Sequence, residues 1–369
     1  RLKPPSSRLT AFYLAISLGG ALGGLFVSAA APLIFDGYWE LHWSLLFLVV
    51  LVSIQLFRRF RNQLKTRFVR AGIVGWVGLI ATLCYSLNTQ VKFTREDALD
   101  TMRGFYGVLR VYDLNLYTSD HFLALYHGRI SHGRQYTHED FRNVAPTYYS
   151  EDSGIGAIFK CHKSRVIPEP MHVAVVGLGI GTVSAYMRPE DRIRFYEINP
   201  QVETLARKHF TYLEDCLGEE SVVLGDARIS MEEEWKESGS QQFDVIVVDA
   251  FSGDSIPIHL ITVEAMKLYT RHLKPDGVIA IHVSNLHLNL SDLVHNLAEN
   301  AGYGAIRVEY DPLYEETMYY YSDWILLSKH DKFLSLVEKK GYSSEWRNDS
   351  DPDLLWTDDY SNLLQVIDW

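Results

Sequence analysis

Cysteine is scarce in this chain. Three of 369 residues, Cys84, Cys161 and Cys216, carry a thiol, and no two form a C-x-x-C pair. That argues against a disulfide framework and against a cysteine-built zinc site. Acid is scarce in the first 88 residues, where Asp36 and Glu40 face nine Lys and Arg. Charge of either sign is missing from residues 11–35, 41–57 and 71–87. A basic excess is missing from the chain as a whole, whose net charge is −11. Beyond residue 88, 26 basic and 44 acidic residues leave −18. Such a balance argues against a nucleic-acid partner; it suits a cationic substrate or plain solubility. A chain opening on Arg1 is expected to be a fragment or a processed product.

The uncharged stretches are long. A spanning helix needs about 20 apolar residues, with about 17 the lower limit. Residues 1–88 therefore read as a membrane domain of three transmembrane helices. The first stretch is too long for a signal-peptide core. Within it, GGALGG sets Gly19 and Gly23, and Gly20 and Gly24, at the spacing that lets helices approach closely in lipid. The expected partners are the lipid bilayer and further transmembrane helices, from upstream sequence or a larger membrane complex. Between the second and third stretches, RRFRNQLKTRFVR holds six basic residues and no acid. The positive-inside rule puts that loop in the cytoplasm and the chain after the third span outside.

The rest of the chain divides by pattern. Residues 89–103 read as a polar linker. Residues 104–146 contain short alternating runs with Gly-containing turns, an N-terminal β-strand piece. Residues 147–330 alternate apolar strands with helical stretches, the pattern of an α/β doubly wound, Rossmann-like sheet of the S-adenosylmethionine type. Residues 331–369 read as a C-terminal helix and acidic tail.

The stretch VAVVGLGIGT carries the first site signal. A β-branched strand, Val173 to Val176, runs into Gly177, Gly179 and Gly181. These allow a tight turn and close backbone approach to a ligand. A helix is expected from about Thr182 to Met187, its N-terminus favouring polar or anionic groups. Glu197 ends the next strand, where a carboxylate can accept both hydroxyls of a ribose. The spacing G-x-G-x-G departs from the dinucleotide pattern and fits an S-adenosylmethionine-type nucleoside better. An α/β turn without ligand is the alternative. Asp226 in LGDAR and Asp249 in VVDAF also fall at strand ends, where ligands of such sheets sit.

With a β piece ending in HGRISHGRQ, then Tyr148 and Tyr149, then VVGLGIG, YEIN, GDAR and VVDAFSGDSIP, the chain resembles the spermidine synthases, the polyamine aminopropyltransferases, over about residues 105–329. With its apolar start it is similar to the membrane-fused members of bacterial inner membranes. The resemblance implies decarboxylated S-adenosylmethionine or a related nucleoside as donor and a polyamine or other amine as acceptor. It implies that Glu197 holds the ribose, that Asp226 and Ala227 meet the adenine, and that Gln135 faces the nucleoside or donor chain. Tyr148 or Tyr149 would line the amine channel, and Asp249 would contact the attacking amine. Asp249 or Asp254 is the candidate base; Asp254 also reads as a turn residue. Tyr319 to Asp323 read either as channel lining or as packing of a strand edge. His127, His132 and His138 lack metal-site spacing and read as surface histidines, and no metal is expected. One position departs from the family: Ile180 stands where the glycine loop usually carries an Asp that helps hold the donor's terminal amine. The AFSGD that follows Asp249 departs from the usual Asp-Ser-Ser-Asp pattern as well. A non-catalytic module binding a nucleoside or polyamine, an accessory subunit, and an ordinary methyltransferase remain as other readings.

Overall fold

A computed structural model describes residues 5–61, 66–96, 98–128, 130–167, 169–250, 257–285, 287–312, 318–346 and 354–367. It divides into two compact units, Arg1–Tyr112 and Asp113–Trp369.

The first unit begins with three helices long and apolar enough to cross a membrane, Ser6–Ile34, Trp39–Phe60 and Arg67–Lys92. Helix α1 (Leu9–Leu25) continues through a π-turn at Phe26–Ala30 into a last turn at Ala31–Ile34. Pro32 accounts for the π-turn: it has no N–H and its ring crowds the carbonyl four residues back, so the ladder widens there. Nothing lies within 4 Å of the points where side chains at Gly19, Gly20, Gly23 and Gly24 would begin. Helix α2 is Trp39–Phe60 and α3 is Arg67–Glu96. The expected linker is mostly regular structure. Residues 88–96 contain neither Gly nor Pro, so α3 elongates past its apolar part, each added residue gaining a hydrogen bond. Strand β1 (Asp100–Gly104) follows at once and pairs antiparallel with β2 (Gly107–Leu114), Asp100 opposite Val111.

The second unit opens with an antiparallel pair, β3 (Phe122–His127) and β4 (Ile130–Tyr136). After α4 (Gly154–Cys161) the main sheet begins. Its elements in chain order are β5 (His172–Val176), β6 (Arg192–Glu197), α5 (Pro200–His209), β7 (Glu219–Leu224), α6 (Ala227–Ser238), β8 (Phe243–Val248), α7 (Val263–His272), β9 (Leu273–His282), α8 (Ser291–Asn300), β10 (Gly304–Tyr310), β11 (Ser322–Ser328) and α9 (Asp331–Lys339). The strand order is β10-β11-β9-β8-β5-β6-β7. Five strands are parallel, and β11 lies antiparallel between β9 and β10. This is a mixed α/β Rossmann-like sheet of the methyltransferase type. The central strand β8 is buried along its whole length, as expected of a strand covered on both faces. The order reverses between β5 and β8, so the crevice beyond their carboxyl ends is the place for a ligand.

The C-terminal segment is built into the core rather than trailing from it. Leu354, Trp356 and Val366 join the main apolar cluster. The Val263 N–H donates to the Trp356 carbonyl at 2.9 Å, and Asn289 N–H to that of Val366 at 2.7 Å.

Candidate active site

The glycine loop leaves β5 at the reversal point. Gly177, Gly179 and Gly181 have φ of 101°, 55° and 83°, a region that favours glycine. A side chain at Gly177 would begin 2.4 Å from the Asp249 carbonyl, and one at Gly179 2.7 Å from that of His132. The loop is therefore pressed between the ends of β8 and β4. The expected helix after it is a five-residue 3-10 turn, Thr182–Tyr186. Pro189 disfavours helical geometry at Arg188, which stops propagation early.

Glu197 sits beneath this loop, 8% exposed. It accepts the Leu178 N–H at 3.0 Å on Oε2 and the Asn199 N–H at 2.8 Å on Oε1. Burial pushes its carboxyl above the usual range, while backbone N–H groups pull the other way. A carboxylate offers about four lone-pair sites, and with the Ile198 N–H also acting on this one capacity for a ligand hydroxyl remains. Asp226 caps α6: its Oδ1 accepts the N–H groups of Arg228 and Ile229, both at 3.0 Å. Its Oδ2 meets His259 Nε2 at 3.0 Å. Ala227, the first residue of α6, is buried beside it.

The second centre lies at the carboxyl ends of β8 and β9. The Tyr149 hydroxyl donates to Asp249 Oδ2. His282 Nδ1 lies 2.7 Å from Asp249 Oδ1, and its Nε2 lies 2.8 Å from Ser284 Oγ. The His282 ring is held between Tyr148, at 4.7 Å, and Trp324, at 4.4 Å and 13°. Burial first, and the Asp249 charge second, raise the phenols of Tyr148 and Tyr149, so both stay protonated donors. Tyr148, Tyr149, Asp249, His282 and Ser284 border a cavity of about 170 Å³ together with Ser131, His132, Gly179, Tyr320 and Tyr321.

Other expected residues are placed differently. Gln135 is 4% exposed, and its amide is engaged by the framework. Nε2 donates to Thr211 Oγ1 at 2.9 Å and to the Arg142 carbonyl at 3.0 Å, while Oε1 accepts the Thr211 N–H at 2.9 Å. It does not border the cavity with Asp249. His132 is no surface histidine. Its Nε2 is buried without a protein partner, and burial lowers its pKa to about 4, keeping the ring neutral. Ile180 is 1% exposed and packs on Gly133, where a side chain would begin 2.7 Å from its Cγ1. Asp254 lies outside the described residues. Among those described, no group of His, Cys, Asp and Glu could hold a metal ion. His282 and Ser284 escape a reading by pattern. Their one signal is position: they close a buried strand of the sheet on the side where ligands sit.

Strand order, glycine loop and strand-end acids define a Rossmann-like fold of the methyltransferase type. Comparison with known proteins finds partial likenesses. Over 117 residues the chain is 33% identical to a polyamine aminopropyltransferase of Vibrio vulnificus, a match covering 30% of this chain and 37% of that protein. It is 24% identical over 217 residues to a probable polyamine aminopropyl transferase of Bifidobacterium longum, covering 58% of this chain and 44% of that one. The crystal structure of a probable spermidine synthase from Corynebacterium glutamicum aligns with a TM-score of 0.48 at 17% identity, over 65% of this chain and 86% of that one. No family model matches the chain. The chain spans less than half the length of both curated relatives. In sequence it is spermidine-synthase-like.

Proposed function

We propose that the chain is a membrane-anchored transferase. It would move an aminopropyl-type group from decarboxylated S-adenosylmethionine, or a related nucleoside, to a polyamine or other amine. The observation that carries this reading is the Tyr149–Asp249 pair bordering the same cavity as Gly179 of the glycine loop. A nucleoside on that loop, with its ribose on Glu197, would present its sulfonium-bound carbon to the cavity. The amine nitrogen forms the new C–N bond as the C–S bond breaks, methylthioadenosine leaves, and the new ammonium gives up a proton. Tyr148, Tyr149 and Tyr320 offer aromatic faces to a cation, and Asp249 offers the opposite charge. Fixing the two reactants in line is a large part of what such a site supplies.

A second reading rests on Ile180. With an apolar side chain packed on Gly133 in place of an acid, the site suits a nucleoside better than a donor with a terminal ammonium. The chain would then be a non-catalytic module or an accessory subunit of a membrane assembly. The six basic residues of 58–70 support an extracytoplasmic location for the second unit. The deciding experiment incubates the purified full chain with decarboxylated S-adenosylmethionine and putrescine. Release of methylthioadenosine with a new polyamine supports the transferase. Nucleoside binding without turnover, across a panel of amines, supports the module.

A further inference from the structure

We propose that Ser284, His282 and Asp249 form a proton relay for the acceptor amine, with His282 the base and Asp249 its positioning residue. This rests on the transferase reading and assigns the proton acceptor within it. Asp249 itself is poorly placed for that task. Its side chain is 3% exposed, and both oxygens already accept, one from Tyr149 O–H and one from His282. An acceptor-only carboxylate at 2.7 Å from Nδ1 fixes the proton of a neutral His282 on that nitrogen. Nε2 then carries the lone pair of the ring, and Ser284 O–H donates to it at 2.8 Å.

Two further contacts hold this direction. The Asp323 N–H donates to Ser284 Oγ at 2.8 Å, which turns the hydroxyl proton toward His282. The Asp323 carboxylate is fixed by Arg307, at 3.0 Å from Nε and 2.7 Å from Nη2. The stack of Tyr148 and Trp324 on either face of His282 prevents the ring from turning over. Ser284 and His282 both border the cavity, and Ser284 Oγ lies against His282 Nε2. As the C–N bond forms and the C–S bond breaks, an ammonium proton passes to Ser284 Oγ while the serine's own proton passes to Nε2. The imidazolium so formed faces the Asp249 carboxylate. Tyr149 remains a donor throughout, and the proton leaves to water after product release.

The test uses the full chain in detergent, labelled with ¹⁵N-histidine, with H282Q identifying the His282 signals. The expected spectrum shows Nδ1 protonated and Nε2 bare, and D249N moves the proton to Nε2 in part or whole. In turnover, S284A and H282Q lower kcat by about 10²-fold or more, the scale of a lost general base, with methylthioadenosine affinity unchanged. A wild-type Nε2–H tautomer overturns the relay whatever the activity. So does wild-type kcat in S284A. The expected tautomer in a wild-type protein that transfers to no amine overturns the transferase reading first, and the relay with it.

Discussion

Arg103 of β1 forks onto Glu40 at the start of α2. Nη1 and Nη2 lie 2.7 Å and 2.8 Å from the two carboxylate oxygens. Nη1 also donates to the Gly37 carbonyl, and the guanidinium lies 4.8 Å from the Tyr38 ring centre. The two side chains are 3% and 9% exposed. Breaking such a pair strands a buried charge, at a cost of roughly 3–5 kcal/mol. R103A should lower stability by about that much, while R103M combined with E40L should recover most of it. Thermal unfolding of the full chain in detergent separates the two. Equal losses in single and double variants would show that shape rather than charge holds this junction.

The same contact bears on topology. It joins the turn between the first two apolar helices to the strand that follows the third, so if the three helices cross a membrane both lie on the same side of it. The basic residues of 58–70 would then lie on the other, the side that the positive-inside rule expects to be the cytoplasm. A phosphatase that works only outside the cytoplasm should be active when fused after Trp369, and a cytoplasmic fluorescent reporter dark. The reverse result would place the second unit in the cytoplasm beside the supply of nucleoside donor. It would favour the transferase over the module.

Glu197 already accepts two backbone N–H groups, so its carboxylate is held in place before a nucleoside arrives. E197Q should weaken methylthioadenosine binding by roughly 1–3 kcal/mol, the scale of a lost hydrogen bond to a charged group. It should also loosen the glycine loop, because an amide NH₂ cannot accept the Leu178 N–H in place of Oε2. Calorimetry gives the affinity. An unchanged Kd would remove Glu197 from the site.

The glycine loop, Glu197, Asp226 and Asp249 were legible because chemistry at the strand ends of an α/β sheet obeys a positional rule. Gln135 was less legible, since its residue type suits a ligand equally well as it suits the Thr211 backbone it holds. His282 is hidden for a different reason. In VIAIHVS it reads as the polar end of an apolar strand, and its meaning comes from Tyr148, Trp324 and Asp249, which are distant in sequence. His132 reads as a surface residue by type, and its burial comes from parts of the chain distant in sequence, the glycine loop at Gly179 among them. Residues 89–96 read as a linker because they are polar, yet helix elongation there needs only the absence of breakers.

Ile180 marks the difference between this chain and the family it resembles. I180D would place a carboxyl in a site 1% exposed and lined by Gly133, where an unpaired charge is costly. The variant should be several kcal/mol less stable than wild type, on the order of 2–4. It should recover most of that with decarboxylated S-adenosylmethionine, whose ammonium can pair with the new acid, and less with methylthioadenosine, which has none. Thermal shifts with the two ligands make the comparison. Equal recovery would mean that the donor chain does not pass residue 180.

His162 supplies a pH dependence with a definite sign. It is 1% exposed and its Nδ1 accepts the Ser164 N–H at 3.3 Å. Burial lowers its pKa from about 6.5 to about 4, so the folded chain holds it neutral while an unfolded chain protonates it. Between those values the unfolded state binds more protons, and stability falls as pH falls. The loss begins near pH 6.5 and is complete near pH 4, and it amounts to up to about 3 kcal/mol. Glu197 works in the opposite sense: its raised carboxyl pKa makes the folded state the better proton acceptor above the ordinary carboxylate range. The two effects overlap, so the wild-type slope alone does not isolate the histidine. H162N keeps an acceptor for the Ser164 N–H and has no titrating group. Its stability curve should be flatter than wild type between pH 6.5 and 4, and the two curves should run parallel above pH 7. A constant difference between them across the whole range would mean that folding leaves the His162 pKa unshifted.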